Sequence, residues 1–388
     1  MAWDLYLIDL YLGNYDGMKK ICILQNSISY GGTDTFVINL CNGLIQDGYD
    51  VTVVLSLSQE FAGSRLKELQ DTGVKIEWTC ELKNLKGKLK HFSMLYKELK
   101  KNNYDVFQTN IDLFNGPNLF IAWLAKVPIR ICHSHNSQQG MELRMGKKIS
   151  VVLYQSIMRW LCWNFSNRRC GCSKMALNFL YGNKYLKDPF TFIIPNGIDL
   201  DLYQKEIDIK SKKKILNLNN KFNVCTVGRI SYQKNPEFLL DVFKVLSEIR
   251  DDVDLIWCGT GELENDLKQK VIEYNLVHRV HLLGERNDIP EILKCSNIFL
   301  LPSRFEGLGI VLVEAQASNL LCVISDAVPE EVDCGLCVVV SLNDSPIIWA
   351  RKISELLDEQ EFFKPQTEKL KKYSIEYMVD MMKEVIEL

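Results

Sequence analysis

The feature that most constrains this chain is an alternation of short apolar runs with helical patterns, played through twice. In the first round, Lys20–Leu24, Val51–Leu55, Val106–Thr109, Ile129–Cys132 and Phe192–Ile194 read as strands. Helices are expected at Thr35–Gln46 and Leu85–Lys101. In the second round, Phe222–Val227, Asp254–Cys258, Val280–Leu283, Ile298–Leu301, Cys322–Ile324 and Cys337–Val340 read as strands, with helices at Pro236–Glu248 and Glu262–Tyr274. Strands alternating with helices predict parallel sheets covered on both faces. The expected fold is therefore α/β, with two doubly wound, Rossmann-like domains facing a cleft.

The turn Pro195-Asn196-Gly197 and the Lys-rich stretch from Lys205 to Lys221 mark the boundary. Residues 18–199 and 200–370 then form the two domains. Residues 371–388 hold a terminal helix able to pack on either domain, the N-terminal one included. Residues 1–17 contain Asp4, Asp9 and Asp16 and no basic residue, so they do not read as a secretory signal. They are expected to be an extension before a functional start at Met18. No stretch of about 18 apolar residues occurs, so a polytopic membrane protein is excluded. Both absences together suggest a cytoplasmic protein.

Charge divides with the domains. Residues 1–200 carry 23 basic against 17 acidic side chains, and residues 201–388 carry 23 against 32. The overall charge of −3 does not suggest a nucleic-acid partner. The thirteen cysteines are scattered, and Cys22, Cys132, Cys225, Cys258 and Cys322 fall in apolar strands, as small buried hydrophobes do in a reducing compartment. The pairs Cys170/Cys172 and Cys334/Cys337 lack the matching second pair that a zinc site needs. Asp199/Asp201 and Asp252/Asp254 have Asp-x-Asp spacing but read as turn or surface residues. No metal site is expected.

Ligands of open α/β sheets sit beyond the carboxyl ends of the strands, so the residues just after each strand are the candidates. Gly228 and Arg229 follow one strand, and Lys234 stands just before a helix that Asn235 is placed to cap and Pro236 to open. Two cations beside a helix N-terminus make an anion site, with phosphate the obvious anion; the plainer reading is two solvated charges. The segment Glu306-Gly307-Leu308-Gly309-Ile310 opens a second helix whose first amides point outward and can cradle phosphate. Glu314 lies six residues past Leu308, about 9 Å along a helix that rises roughly 1.5 Å per residue. Glu306 and Glu314 would bracket a diphosphate and accept bonds from sugar hydroxyls. The alternatives are a loop charge for Glu306 and a helix ion pair for Glu314.

Gly259 and Gly261 form a weak Gly-x-Gly turn, and Glu264 stands where a dinucleotide fingerprint needs its third glycine. An NAD enzyme is thereby disfavoured. Glu285 and Arg286, after the next strand, could meet a base through their backbone. In the first half, Gly31 and Gly32 allow close approach of a ligand to the backbone, or simply make a tight turn. His133 and His135 follow a strand and could bond a sugar or a reacting oxygen, although a lone histidine is more often structural.

Taken together these residues resemble the retaining glycosyltransferases of family four, which have the GT-B fold. The matching marks are Gly31-Gly32, His133/His135, Pro195 to Asp199, Gly228-Arg229 with Lys234, Gly259/Gly261, and Glu306 with Glu314 after seven intervening residues. The resemblance covers residues 18–388, and the stretch 133–137 looks like that of enzymes building bacterial capsular or exopolysaccharide units. It implies a hexose or N-acetylhexosamine transferred from a nucleotide-diphosphate sugar, UDP by preference, to a hydroxyl of a lipid-linked or growing polysaccharide acceptor. Residues 18–199 would be the acceptor side and 200–370 the nucleotide-sugar side. Arg229 and Lys234 would hold the diphosphate and stabilise it as it leaves. Glu306 would bond the donor sugar, and Glu314 the ribose. Gly32 would admit the phosphates, and one histidine, His133 by slight preference, would lie near the sugar. Asn196, Gly228, Gly259, Gly261, Glu285, Arg286, Leu308, Gly309 and Ile310 would complete the donor site, with no cofactor and no metal. The alternatives are a nucleotide-sugar epimerase of the same fold and a catalytically inactive sugar-nucleotide-binding subunit.

Residues 83–101 carry seven Lys against Glu98, with Leu85, Leu89, Phe92, Tyr96 and Leu99 at helical spacing. Residues 141–169 carry six basic side chains against Glu142, with Trp160 and Trp163. Such segments suit an anionic membrane surface, here the inner face of the plasma membrane. The alternative is two ordinary helices, each burying its apolar face.

Overall fold

A computed structural model describes residues 19–29, 31–57, 63–137, 149–218, 220–359 and 366–388. Residues 1–17, expected as an extension, and 141–148, part of the second basic segment, lie outside them.

Two parallel sheets carry the fold. The first has β1 (Lys20–Gln25), β2 (Asp50–Leu55), β3 (Lys75–Trp78), β4 (Val106–Thr109), β5 (Ile129–Ser134), β6 (Arg168–Gly171) and β7 (Thr191–Ile193), in the order β3-β2-β1-β4-β5-β6-β7. The second has β8 (Phe222–Val227), β9 (Val253–Cys258), β10 (Val280–Gly284), β11 (Ile298–Leu301), β12 (Leu321–Ser325) and β13 (Cys337–Val340), in the order β10-β9-β8-β11-β12-β13. Both follow the doubly wound pattern, in which the strand order reverses beside the first strand. The switch points fall between β1 and β4 and between β8 and β11.

The second sheet shows why the strands were legible. Its four inner strands are buried on both faces, so they are near-continuous apolar runs. On one face Val224, Leu255, Trp257, Leu300 and Val323 meet helices Pro236–Ile249 and Pro346–Asp358. On the other Cys225, Ile256, Cys258, Phe299, Leu301, Cys322 and Ile324 meet helix Ile310–Ala317. Neighbours along a strand point to opposite faces, as the pleat requires. All thirteen cysteines are free, and every one except Cys80 and Cys337 is buried.

Several expectations are corrected. Strands β3 and β6 were not foreseen. Asp254 is no surface residue: β9 begins at Val253, which puts Asp254 inside the sheet opposite Asn223 and 2 % exposed. Its carboxylate accepts from Asn220 Nδ2 at 2.7 Å and lies 3.9 Å from Arg279, which offsets its burial. Asp199 does act as a turn residue, accepting from the amides of Asp201 and Leu202.

By internal contacts the chain forms two compact units. One is the chain up to Cys132 with Trp160–Arg168, and the other is His133–Arg159 with Arg169–Leu388. β5 and β6 thus run from one unit into the other. The second unit includes the C-terminal helix Ile375–Glu387, capped by Ser374 Oγ. It holds the Pro195–Ile198 turn: Ile198 N donates to Tyr373 O at 2.8 Å and Gly197 N to Met378 Sδ at 3.1 Å.

In the first unit, helix Leu85–Asn102 buries His91, Leu95 and Leu99. His91 is fixed between Thr79 Oγ1 (2.7 Å) and Asn118 Oδ1 (3.0 Å), and burial keeps its pKa below the usual imidazole value. Leu85 and Leu89 instead lie outside, 73 % and 60 % exposed. Trp123 and Trp160 are 48 % and 58 % exposed, and both rings pack on Phe165. Among the described residues no helix is long and apolar enough to cross a membrane.

Candidate active site

The site grows from the second sheet's switch point. β8 ends at Val227, and the chain turns through Gly228, whose amide donates to Cys258 O (2.9 Å) and whose carbonyl accepts from Trp257 Nε1 (3.1 Å). The turn after β9 closes against it. Gly259 has φ +133°, and a Cβ there would stand 2.2 Å from Gly228 O, so only glycine fits. Ile230 N donates to Thr260 O, and Gly259 N donates to Gly284 O at the end of β10. Gly259 and Gly261 thus act as packing residues that let three strand-end turns interlock. Arg229 leaves this scaffold exposed and has no ion pair or hydrogen bond among the described residues.

Pro236 opens helix Pro236–Ile249 as expected, but Asn235 does not cap it by its side chain. It sits at φ 56° in the left-handed region, which turns the side chain away from the helix amides, and its Oδ1 is buried without a partner among the described residues. This bend carries Lys234 inward. Its Nζ lies 2.7 Å from Glu306 Oε1, with the two side chains 15 % and 5 % exposed. The same oxygen accepts from Ser303 Oγ at 2.6 Å, and Oε2 accepts from Gln233 Nε2 at 3.2 Å. A buried carboxylate is tolerable only with such partners.

The loops after β8 and β11 also hold each other directly. Arg304 N donates to Gln233 O (2.8 Å), Arg304 Nη1 donates to Tyr232 O (2.8 Å), and the guanidinium lies 4.1 Å from the centre of the Tyr232 ring. Past Glu306 the chain is pinned by two serines, Ser137 Oγ donating to Glu306 O and Ser173 Oγ to Gly307 O.

Helix Ile310–Ala317 follows, with Gly309 at φ +81° as its N-cap and no acidic residue in its first turn. The amides of Leu308, Gly309, Ile310 and Val311 have no hydrogen-bond partner among the described residues. Open amides at a helix N-terminus attract anions. Glu314 is half-buried on this helix.

His133 is the fifth residue of β5, not a residue beyond it, because the strand continues to Ser134. His133 and His135 are 0 % and 7 % exposed, and their rings stack at 4.2 Å. Burial, with His135 alongside, pushes the His133 pKa well below the ordinary value; the Ile194 backbone opposes this. Burial lowers that of His135 to about 3, against the Asn196 side chain. Both rings are therefore neutral at pH 7. The unfolded chain takes up protons below about pH 6.5 and the folded chain does not, so this stability is present above pH 6.5 and lost as pH falls. For His135 the loss at pH 5 is about 2 kcal/mol. Melting temperature should drop between pH 7.5 and 5, and His135→Gln should flatten that slope. An unchanged slope in the variant would contradict the assignment.

The remaining candidates are placed differently. Glu285 accepts from Thr260 Oγ1 at 3.3 Å. Arg286 is committed to Asp288 through two bonds of 2.7 and 2.6 Å, and Lys212 adds a third to the same carboxyl. These cations, Arg286 foremost, hold Asp288 well below the usual carboxylate range. Gly31 and Gly32 lie in the first unit at the start of helix Gly32–Gln46. There Asp34 accepts from Gln25 Nε2 (2.6 Å) and Ser29 N (3.0 Å). Sequence reasoning missed Gln233, Ser303, Ser137 and Ser173. Only Ser303, three residues before Glu306, carried a local signal. Among the described residues no cluster of three metal-ligating side chains occurs.

Known proteins match the chain in both of its halves. The model for "Glycosyltransferase Family 4" matches residues 30–202, and that for "Glycosyl transferases group 1" matches residues 208–377. The chain belongs to glycosyltransferase family 4. It is 27 % identical to the putative glycosyltransferase EpsF of Bacillus subtilis over 87 % of each chain. It is 36 % identical to the UDP-Gal:alpha-D-GlcNAc-diphosphoundecaprenol alpha-1,3-galactosyltransferase of Escherichia coli over 64 % of each. The Anabaena protein HepE, solved with UDP and glucose, superimposes with a TM-score of 0.80 at 19 % identity over 95 % of this chain and 99 % of that one. That likeness shows the GT-B fold of two Rossmann-like domains.

Proposed function

We propose that this chain is a retaining, metal-independent transferase that moves a hexose or N-acetylhexosamine from a UDP-sugar to a hydroxyl of a lipid-linked or growing polysaccharide acceptor. The observation that carries the reading is the set of groups at the switch point: Lys234 and Arg229 with the open amides of Leu308 to Val311. Negative charge grows on the leaving diphosphate as the sugar–oxygen bond breaks, and fixed donors of this kind stabilise it. Two cations and a helix N-terminus supply that stabilisation from the protein itself, which is the basis for metal independence. Glu306 accepts from hydroxyls of the donor sugar, and Glu314 from the ribose. Of the neutral histidine pair, His135, the less completely buried at 7 %, offers the sugar a hydrogen bond without a charge. The acceptor hydroxyl attacks the face the diphosphate leaves and gives its proton to the departing phosphate oxygen, so the anomeric configuration is kept.

The choice of UDP and of a lipid-linked acceptor leans on the E. coli relative, whose name specifies both, and on HepE, solved with UDP. A lipid-linked acceptor calls for a membrane face. Exposed Leu85, Leu89, Trp123 and Trp160, with the lysines of helix Leu85–Asn102, suit an anionic bilayer, with the protein peripheral on the inner face of the plasma membrane.

The test is thermal melting with UDP, GDP or ADP, each in EDTA. A ligand at 100 times its Kd adds about 2.7 kcal/mol. Stabilisation by UDP alone is expected, and a shift with none would sink the diphosphate assignment. Flotation with phosphatidylglycerol vesicles tests the membrane face: Leu85→Asp with Leu89→Asp should release the protein, and equal flotation of the variant would refute it.

A further inference from the structure

We propose that Gln233 reads the donor sugar beside Glu306, as a specificity-determining residue. This inference rests on the sugar-nucleotide reading above and names a further contact within that site.

Gln233 is half-buried one residue before Lys234. Its Nε2 donates both to Phe305 O at 3.1 Å and to Glu306 Oε2 at 3.2 Å. Carbonyl and carboxylate oxygens only accept hydrogen bonds, so the two contacts fix which end of the amide is nitrogen. Oε1 must then face the other way. Among the described residues nothing donates to it. The residue is also anchored by its own carbonyl, which accepts from Arg304 N at 2.8 Å. The result is a fixed, neutral hydrogen-bond acceptor next to the Glu306 carboxylate.

The chemistry of this pair selects its ligand. Glu306 Oε1 already accepts from Lys234 and Ser303. Open acceptor capacity remains on Glu306 Oε2 and, on the far side of the amide bonded to it, on Gln233 Oε1. Two acceptors repel an ionised phosphate oxygen and welcome O–H or amide N–H donors. Neighbouring hydroxyls of a sugar ring, or a hydroxyl beside an N-acetyl group, present donors in that arrangement. Glu306 takes one and Gln233 the other.

The experiment compares Gln233→Met, which keeps length and loses both polar ends, with wild type. Probes are UDP, GDP, UDP-glucose, UDP-galactose, UDP-N-acetylglucosamine and monodeoxy analogues of the best donor. Affinity for UDP should stay within about twofold, while kcat/KM for the best UDP-sugar falls about 10- to 100-fold. One deoxy analogue should be penalised in wild type and not in the variant. Should Gln233→Met melt early, Gln233→Asn, which withdraws the oxygen while keeping an amide, goes through the same deoxy series. Equal losses for UDP and UDP-sugar would mark Gln233 as structural and overturn the proposal. So would an identical deoxy penalty in wild type and variant. Binding of neither UDP nor GDP to wild type would instead overturn the underlying sugar-nucleotide reading, and this inference with it.

Discussion

Lys234→Ala should cost this protein both its activity and much of its stability. The substitution strands the Glu306 carboxylate, 5 % exposed and, among the described residues, otherwise held by Ser303 and Gln233 alone. Breaking a buried ion pair from one side typically costs about 3–5 kcal/mol, because the remaining charge stays buried. Transfer should fall by at least about 10²–10³-fold, the usual loss when one group facing developing charge is removed. The two losses are separable. Lys234→Met combined with Glu306→Gln leaves no stranded charge, so it should regain most of the melting temperature and none of the turnover. A single variant that melts like wild type would show that the pair is not formed in solution. A double variant that turns over would remove Lys234 from the diphosphate role.

Gly307→Ala should be comparably severe for a steric reason. A Cβ at this position would stand 1.8 Å from His135 O and 2.7 Å from its carbonyl carbon. Both are backbone atoms, so no rotamer change relieves the clash. Forcing such groups apart should destabilise by at least about 3 kcal/mol, the upper end of the usual cost of overpacking, because backbone must move on both sides. It would also shift Glu306, whose carbonyl is pinned by Ser137. The purified variant should therefore melt well below wild type, and any folded fraction should bind UDP-sugar poorly. Wild-type melting and kinetics would mean that the 133–137 segment does not sit against this turn.

The strands legible in the sequence were those whose burial is two-sided. Val106–Thr109, Phe222–Val227 and Ile298–Leu301, all inside their sheets, were read to the residue because apolar runs bounded by polar turns leave little choice of ends. β3 escaped because it is the edge strand of its sheet, and Lys75, Ile76, Glu77 and Trp78 are all partly exposed. β6 escaped because Arg168 and Arg169 hide it; the latter is neutralised by Asp188 at 2.8 Å, a partner nineteen residues on.

The site's charged residues were legible one by one, as strand-end groups beside helix starts. Their pairing was not. Lys234 and Glu306 are 72 residues apart, and no local spacing relates them. Each was read as facing a ligand when, without one, they face each other. Gln233 was passed over because a single amide carries no pattern until its two hydrogen-bond partners are seen.

The two helices that begin at the second switch point differ in how their amino ends are finished. Helix Pro236–Ile249 starts with a proline, which has no amide hydrogen, and carries Glu237 in its first turn. Helix Ile310–Ala317 starts on open amides with no acidic residue in its first turn. An anion arriving between them meets a closed door on one side and an open one on the other. On the proposed reading, charge released at the switch point is drawn to the open amides at Ile310 on one side and, on the other, to the Arg229 and Lys234 side chains rather than to a helix end.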